Sequence, residues 1–517
     1  MLVAGLFAIA YLILEPPSAD LAAQTFRSDL FASHGFLLWN NHWYGGHYLP
    51  GYSILFPPLG AALGPRLVGA LAAVAAGGLF GALARRGHGD RARLATLWFG
   101  AGTAAMLFSG RLTFALGIAI GLGALLALQR RHPLLAGGLA LLTVFGSPVA
   151  GLFLALAGVA LMLAGDRRGG ALVALPALGA LGALSLVFPT GGEEPFVFSA
   201  FIGVPLFAAA ALLLLPAEER ALRWGVAVYA IAAIVAFAVA NPVGGNMARL
   251  GALAGGPVLA LGLAGRRPVA LAAVALPLLY WQWVAPVRDV SEAAGDPSVH
   301  SSYYEPLLAE LERRTSGTPV RVEIPPTRNR WEANYVAPRF PLARGWLRQL
   351  ESDDLDLFTE GNLTAPEYRS WLDDRGVSYV AVADAKPDYL SNDEEALIRR
   401  GLPYLRAVWS DQHWRLYRVE GATGLVSRTG DLPRRPRRPP ARLSALGPAS
   451  FTLSARDSGA FLVRVRYTRY WTVTSGEACV ERHGDWTEVQ ALRPGTVSVA
   501  ARFSLDGLLG RDRQCSA

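Results

Sequence analysis

This chain is poor in charged residues and has almost no lysine. Only 17% of its 517 residues are charged, and Lys386 is the single lysine. Soluble domains carry roughly 25% charged residues, so this composition excludes a protein that is in water over its whole length. Arginine supplies the formal net charge of +8, and many arginines stand in pairs between apolar blocks. That distribution is typical of topology signals and argues against a nucleic-acid-binding face.

The chain also lacks the short motifs that mark several common chemistries. It has no Walker loop, no dinucleotide-binding fingerprint and no nucleophile elbow, and its only cysteines are Cys479 and Cys515. Neither these cysteines nor the histidines have the spacing of a zinc site. No motif therefore assigns P-loop, Rossmann, zinc or α/β-hydrolase chemistry to the chain.

Long apolar blocks fill residues 1–286, whereas residues 287–517 have the mixed composition of a soluble protein. A membrane-spanning helix needs about 20 apolar residues to cross a hydrocarbon core about 30 Å thick. The first block could be a signal peptide, but no basic residue precedes it, which favours an uncleaved span. The blocks predict a polytopic α-helical membrane protein of about eleven spans, near residues 1–15, 59–84, 94–109, 112–129, 133–146, 148–165, 170–189, 199–216, 222–240, 248–265 and 268–286.

Arginine pairs indicate the orientation of these spans, because they occur in every second loop. By the positive-inside rule such loops are cytoplasmic. The N-terminus is then inside, and both the long first outer loop, residues 16–58, and everything after residue 286 lie outside. This predicts a multi-pass plasma-membrane protein with an extracytoplasmic C-terminal part. The arginines that mark the loops are Arg85, Arg86, Arg130, Arg131, Arg167, Arg168, Arg220, Arg223, Arg266 and Arg267.

The soluble part divides into three segments. Residues 287–425 alternate helix-like and strand-like stretches, such as "EYRSWLDDRG" followed by "VSYVAVAD", and predict an α/β domain. Residues 426–442 include the Pro/Arg-rich run "LPRRPRRPPAR", which predicts a linker. Residues 443–517 alternate at period two in "GAFLVRVRYTRYWTV" and "GTVSVAARFSL", which predicts a small β-domain.

The first outer loop contains an unusual aromatic stretch, "WNNHWYGGHYLPGYSILFPP", at residues 39–58. It could be an aromatic belt at the membrane interface or the floor of an active site. A long loop rich in Trp and Tyr is functional more often than disordered. His34, His42 and His47 also lie in this loop, but their spacing matches no standard ligand pattern. We therefore assign no metal ligands, and a divalent metal stays possible.

The same loop carries a family resemblance. "SADLAAQTFRSDLF" and "GFLLWNNHWYGGHYLPGYSILFPPLGAALG" resemble the first periplasmic loop of GT-C-type membrane glycosyltransferases, in particular the bacterial multi-span group that includes the YfhO-type and PTPS-related proteins. "SGRLTFALGIAIGLGAL", "GSPVAGLFLAL" and the series "YYEPLLAEL", "RWEANYVAP" and "ARGWLRQ" are also similar to this group. The resemblance covers most of residues 1–420 and bears more on architecture than on activity.

The resemblance implies transfer of a sugar from a polyprenyl-phosphate donor to an envelope glycan or lipid acceptor at the outer face. An acidic residue of the first loop would act as base or hold a metal. We expect Asp20 in this role, with Asp29 as the competitor. If residues 20–29 are helical, we expect the two carboxylates on a similar face. The alternative for Asp20 is a helix cap.

Cations at the outer ends of spans could bind the donor's phosphate, because arginine suits bidentate phosphate contacts. The alternative is that each arginine reaches to lipid headgroups. Aromatic faces of the first loop could stack on sugar, and Gly45-Gly46 would let the chain pass close to a ligand. The predicted substrate-binding residues are Arg27, Trp39, Trp43, Tyr44, His47, Arg111 and Arg249, and we expect Arg111 and Arg249 to converge in space.

Two other functions stay open. Eleven or twelve spans is a common transporter count, although transporters usually carry ionisable residues in mid-membrane and have related halves. A GT-C relative without catalysis could instead be an envelope assembly scaffold. For the C-terminal domain, which we place outside, we predict a disulfide between Cys479 and Cys515, because thiols tend to oxidise there.

Overall fold

The computed structural model describes residues 1–354, 357–358, 361, 363–429, 440–509 and 515. The chain divides into two compact units. Unit 1 comprises Met1–Gly35 and Pro50–Gly295, and unit 2 comprises Phe36–Leu49 and Asp296–Ala517. The predicted first loop is therefore shared between the units, and the aromatic segment 36–49 belongs to unit 2.

Unit 1 is helical, and its helices begin where prolines and small polar residues interrupt the apolar runs. Ser147 starts one helix by accepting a hydrogen bond from the Ala150 backbone N–H, and Asp166 starts the next by accepting one from Gly169. The helices are α1 Leu2–Leu14, α2 Ala19–His34, α3 Phe56–Leu63, α4 Pro65–His88, α5 Ala92–Phe108, α6 Leu112–Gln129, α7 Pro133–Gly146, α8 Pro148–Ala164, α9 Arg167–Val187, α10 Phe198–Phe201, α11 Gly203–Leu214, α12 Arg220–Ala238, α13 Ala248–Leu263 and α14 Pro268–Ala293.

Several of these helices are compatible with a membrane protein, but fewer than predicted. Within the described chain, α1 and α2 form a pair bent by 79° that could count as a sixth candidate, and α7 and α8 are apolar but shorter. The prediction of about eleven spans is too high by this measure, although every predicted block is helical. A helix as short as α7 rises only about 21 Å, less than a bilayer core. The five segments that are long and apolar enough are Pro65–Phe108, Leu112–Gln129, Arg167–Val187, Arg220–Ala238 and Pro268–Ala293.

Small residues let the helices of unit 1 pack closely. A Cβ on Gly158 in α8 would lie 2.7 Å from the Gly170 carbonyl oxygen in α9, and a Cβ on Gly170 would lie 2.3 Å from the Gly158 carbonyl oxygen. These two backbones therefore touch with no room for a side chain, which is a common way to associate helices in lipid.

The first part of unit 2 is an α/β structure around a mixed sheet. The strand order is β3-β4-β6-β5, with β3 parallel to β4 and the other pairs antiparallel. Residues such as Leu372, Val380 and Val419 form its core. The elements are β1 Trp39–Asn40, β2 His47–Tyr48, α15 Glu305–Thr315, β3 Arg321–Glu323, α16 Glu332–Tyr335, α17 Ala365–Asp374, β4 Val377–Ala383, α18 Asn392–Arg399, β5 Leu405–Ser410 and β6 Trp414–Val419.

The second part of unit 2 contains two antiparallel four-stranded sheets, ordered β12-β13-β10-β7 and β11-β14-β9-β8. Burial alternates along β9, where Phe451 and Leu453 point inwards. A disulfide joins Cys479 on β12 to Cys515. The remaining elements are β7 Val426–Arg428, β8 Ala441–Gly447, β9 Ser450–Ala455, β10 Gly459–Arg466, β11 Trp471–Ser475, β12 Ala478–His483, β13 Trp486–Ala491, β14 Gly495–Ala501 and α19 Leu505–Leu508.

The predicted linker, residues 426–442, is only partly described. Its first residues form β7, which pairs with β10, and its last residues begin β8. Residues 430–439 lie outside the described residues. The β-domain thus recruits a strand from the start of the predicted linker. At the other boundary, α14 continues to Ala293, so the first unit ends at Gly295 rather than at residue 286.

Candidate functional site

Three predicted site residues meet at one end of unit 1. Asp20 lies in the first turn of α2, Arg111 directly precedes α6, and Arg249 lies in the first turn of α13. One carboxylate oxygen of Asp20 lies 3.7 Å from Arg111 Nε and 3.7 Å from the nearer terminal nitrogen of Arg249. We call these three residues the outer charge cluster, after the membrane side that the arginine pairs predict for them. Two arginines that are far apart in the sequence therefore converge on the carboxylate of Asp20.

A tight turn brings Arg111 to the start of α2. Gly110 has φ +71°, and a Cβ there would lie 2.2 Å from Ser18 Oγ and 2.7 Å from the Leu21 backbone nitrogen. Only glycine combines this left-handed conformation with so close an approach. The turn before α6 thus rests directly on the first turn of α2, which carries Asp20.

A tyrosine fixes the start of α13 and with it Arg249. The Tyr229 hydroxyl donates to the Met247 carbonyl oxygen at 2.8 Å and accepts from the Gly251 backbone N–H at 3.1 Å. These bonds hold both sides of the first turn of α13. The position of Arg249 is therefore set by the buried hydroxyl of a different helix, α12.

The cluster is electrostatically suited to an anion. The N-terminus of each helix carries a partial positive charge, and three such ends meet here. Arg288 and Asp289, at the end of α14, also interact with Arg111, so three guanidinium groups face two carboxylates. Burial lowers the pKa of Arg111, and Arg249 lowers it further, whereas Asp20 raises it. An additional negative group would therefore be stabilised.

The arginines of the cluster keep hydrogen-bonding capacity. A separation of 3.7 Å is an ion pair but exceeds hydrogen-bond length. Arg111 Nε makes no hydrogen bond to any residue that the structure describes. The side chains of Asp20, Arg111 and Arg249 are 23%, 24% and 23% exposed, so a ligand can reach them. The arrangement can hold a phosphate or carboxylate and present one carboxylate beside it.

The other two charged candidates on α2 lie elsewhere. Asp29 is exposed, and nine residues correspond to about two and a half turns of helix, so it faces away from Asp20. The expectation that the two carboxylates share a face is wrong for this reason. Arg27 is buried and places its guanidinium 3.9 Å from the centre of the Tyr52 ring. It packs within unit 1 as a cation–π partner.

The aromatic candidates form part of the core of unit 2. Trp43 is fully buried, donates from Nε1 to the Ala333 carbonyl oxygen and stacks on His47. The Tyr44 hydroxyl donates to Glu351 at 3.2 Å, and the Trp39 ring makes edge-to-face contacts with Tyr48 and Trp471. Burial and a glutamate partner raise the pKa of Tyr44 well above its usual value. This arrangement gives the side chains a packing role and leaves them no exposed face for a sugar.

The glycine pair in this stretch serves the same packing. A Cβ on Gly46 would lie 2.4 Å from the Trp39 ring, and one on Gly45 would lie 2.8 Å from the Trp486 ring. Of the loop histidines, His34 ends α2 in unit 1, whereas His42 and His47 are buried in unit 2. Across the described residues, no group of three or more His, Cys, Asp or Glu could hold a metal ion.

Sequence reasoning missed one member of the neighbourhood. Asp289 interacts electrostatically with Asp20 and Arg111, and the signal was an Arg-Asp pair just after the last apolar block. Comparison with known proteins gives no further guide, since no protein-family profile matches the chain and no curated protein is similar to it.

Proposed function

We propose that the chain is a membrane glycosyltransferase of GT-C type, which takes a sugar from a polyprenyl-phosphate donor. The observation that supports this is the outer charge cluster, in which Arg111 and Arg249 flank Asp20. A lipid phosphate at headgroup depth needs paired cations, and transfer needs a carboxylate close to the phosphate-linked carbon. The acceptor is an envelope glycan or lipid.

In the proposed reaction, Arg111 and Arg249 bind the donor phosphate. The acceptor hydroxyl oxygen attacks the anomeric carbon, and the bond from that carbon to the phosphate oxygen breaks. The electron pair stays on the polyprenyl phosphate, whose new charge the two guanidinium groups stabilise. The hydroxyl proton passes to Asp20. A phosphate between the arginines also weakens their electrostatic stabilisation of the ionised Asp20, which makes this carboxylate a better proton acceptor.

The membrane arrangement that we propose is a GT-C-like helical bundle in which the five long apolar segments cross the bilayer and the shorter apolar helices pack among them. Its N-terminus is cytoplasmic, and unit 2 is extracytoplasmic. Ion pairs at loop ends support the alternation: Glu219 lies 3.1 Å from His88 and 3.2 Å from Arg266. Three of the loops that we assign to the cytoplasm thus meet, and Arg249 lies at the opposite end of α13 from the loop that contains Arg266.

The decisive test is Asp20→Asn, assayed in a deletion strain of the source organism by profiling lipid-linked sugars and envelope glycans. A general base contributes about 100-fold or more to the rate, so we expect glycan to fall and its lipid-linked donor to accumulate. Asp90→Asn is the matched control, because Asp90 is 88% exposed in an ion pair outside the cluster. Full transfer by Asp20→Asn would exclude Asp20 as base, and loss in Asp29→Asn alone would move the role there.

The arginines are tested separately by binding. Arg111→Gln and Arg249→Gln should each weaken binding of a polyprenyl monophosphate in vesicles by about tenfold to a hundredfold, since a hydrogen bond to a charged group contributes about 1.5–3 kcal/mol. Arg93→Gln, the partner of Asp90, is the control. Binding that depends on both arginines while no variant alters glycan would indicate a scaffold. A substrate that crosses vesicles unchanged would indicate a transporter.

A further inference from the structure

The segment around the short helix α19 of unit 2 exposes several large apolar side chains. Phe503 is 51% exposed, Leu505 is 67% exposed and Leu509 is 60% exposed. The other large apolar side chains that are exposed in the described part of unit 2 are Phe36, Tyr389 and Leu492, which are scattered along the chain. We call Phe503, Leu505 and Leu509 the C-terminal apolar patch. Isolated exposed apolar residues are ordinary, but a concentrated set marks an interaction site.

The patch is held in place by its surroundings. The Arg502 backbone N–H donates to the Tyr470 carbonyl oxygen at 2.8 Å, and the Phe503 ring lies 5.5 Å from the Tyr470 ring. Arg469 donates to the Leu508 carbonyl oxygen at 3.2 Å. Beyond the helix, the disulfide from β12 fixes the chain again at Cys515. The segment is thus held to the strand end that carries Arg469 and Tyr470, with Phe503, Leu505 and Leu509 exposed.

We propose that the C-terminal apolar patch inserts into the headgroup region of a lipid bilayer. Arg502 is exposed beside Phe503, and Arg469 donates to the end of the helix. Two basic groups and one acidic group, the exposed Asp506, therefore border the apolar residues. That combination is typical of peripheral membrane-binding segments, in which leucines and phenylalanines enter the interface and arginines meet anionic headgroups.

A lipid surface fits this patch better than a protein partner does. A stable protein interface needs about 800 Å² on each side, far more than three side chains supply. Insertion of a few side chains suffices when the segment is already confined near a membrane. Unit 2 is joined to unit 1 by chain connections at residues 35/36, 49/50 and 295/296, so the local concentration of bilayer is high once unit 1 is embedded. This inference rests on membrane embedding of unit 1 and not on glycosyl transfer.

The test uses a single spin label on the full chain in lipid nanodiscs. The chain has no free cysteine, so Leu505→Cys introduces one reactive thiol without reduction of the disulfide. Leu492→Cys is the matched control, because Leu492 is 61% exposed and lies just before the first residue of β14, whereas the patch follows its last residue. In nanodiscs of phosphatidylcholine with phosphatidylglycerol, we expect the label at 505 to collide several-fold more with oxygen and less with a water-soluble nickel chelate than the label at 492.

Equal access of the nickel chelate to both labels would overturn the proposal. Dipolar broadening between labels at 505, lost on dilution with unlabelled chain, would also overturn it by showing a second copy as occupant. A second variant combines Leu505→Glu and Leu509→Glu with a spin label at Phe503→Cys. If unit 2 of this variant is folded and keeps its disulfide, the label should be accessible to the nickel chelate. A label at that position that still avoids the chelate would contradict lipid insertion through the leucines.

Discussion

Replacement of Arg344 by methionine should destabilise unit 2 strongly. Arg344 is 2% exposed and donates from Nε and a terminal nitrogen to Glu323 at 2.9 and 2.6 Å. It also contacts Glu394, and both glutamates are fully buried. Methionine keeps much of the volume but leaves two buried carboxylates without a counter-charge. Breaking a buried ion pair costs about 3–5 kcal/mol, and we expect a loss of that size in the free energy of unfolding.

The loss should depend on pH. Burial raises the pKa of Glu323 well above its usual value and Glu394 raises it further, whereas Arg344 lowers it. Burial likewise raises the pKa of Glu394. A group with a raised pKa in the folded state contributes stability that is complete below its unfolded value and is lost as pH rises through the folded value. Without Arg344 both pKa values rise further, so the loss of stability should grow with pH where the wild-type carboxyls are ionised and those of the variant must bind a proton, by about 1.4 kcal/mol per pH unit for each such carboxyl.

Hydrogen exchange of strand amides is the suitable assay, because a chain of two units need not unfold in one step. The amides of Val322, which precedes Glu323 on β3, and of Val380, which pairs with Glu323 from β4, report on the ion pairs of Arg344. Arg399→Met is the matched control: Arg399 is 61% exposed and pairs with Glu395 four residues earlier, a contact that contributes about 0.5 kcal/mol or less. Equal protection in the two variants, or a defect in Arg344→Met that is the same at pH 5 and pH 8, would refute the reasoning.

Three further predictions concern single features of the fold. Reduction of the Cys479–Cys515 disulfide, which spans 36 positions, should destabilise the β-domain by about 4 kcal/mol on chain-entropy grounds; alkylation before reduction should label no thiol, and two labelled thiols would contradict it. Burial raises the pKa of Glu332 to about 7. The contribution of this carboxyl to the free energy of unfolding is therefore complete below about pH 4 and falls as pH rises through 7. Glu332→Gln should flatten that part of the pH–stability curve, and an unchanged curve would contradict the prediction. Gly110→Ala should abolish polyprenyl monophosphate binding. Gly265→Ala should leave it intact, because Gly265 has a similar φ of +75° but a Cβ there would meet no atom within 4 Å. Equal effects would show that backbone strain, and not the close approach of Gly110 to α2, causes the loss.

Local patterns in the sequence predicted the elements of unit 2 well. The helix expected in "EYRSWLDDRG" is α17, the strand expected in "VSYVAVAD" is β4, and the alternation of "GTVSVAARFSL" is β14. These predictions are confirmed because each depends on periodicity and end signals within a dozen residues. Thr364 illustrates the point, since it forms a capping box with Glu367 at the start of α17, and both residues are visible in the sequence.

Partners across long sequence distances could not be predicted in this way. The aromatic stretch looks like a ligand surface because it is rich in Trp and Tyr, yet Trp43 donates to a carbonyl 290 positions away. Gly345 shows how closely the two segments meet, since a Cβ there would lie 2.5 Å from the Trp43 ring. Nothing local distinguishes an aromatic ring that stacks on sugar from one that fills a core. The choice depends on which distant backbone covers it.

Charged residues at helix starts were more informative than aromatic ones, for a physical reason. Burial is ordinary for Trp and Tyr but costly for Asp and Arg, so a charge at the edge of an apolar block must find a partner or water. In unit 1, few charges lie outside the arginine-paired loops, so few partners exist. Arg111 and Arg249 were among the candidates for this reason, and they meet Asp20 at the start of α2, but the same reasoning also selected Arg27, which packs on Tyr52 instead. The mutual geometry of Asp20, Arg111 and Arg249 still required the turn at Gly110, which no property of the three residues themselves encodes.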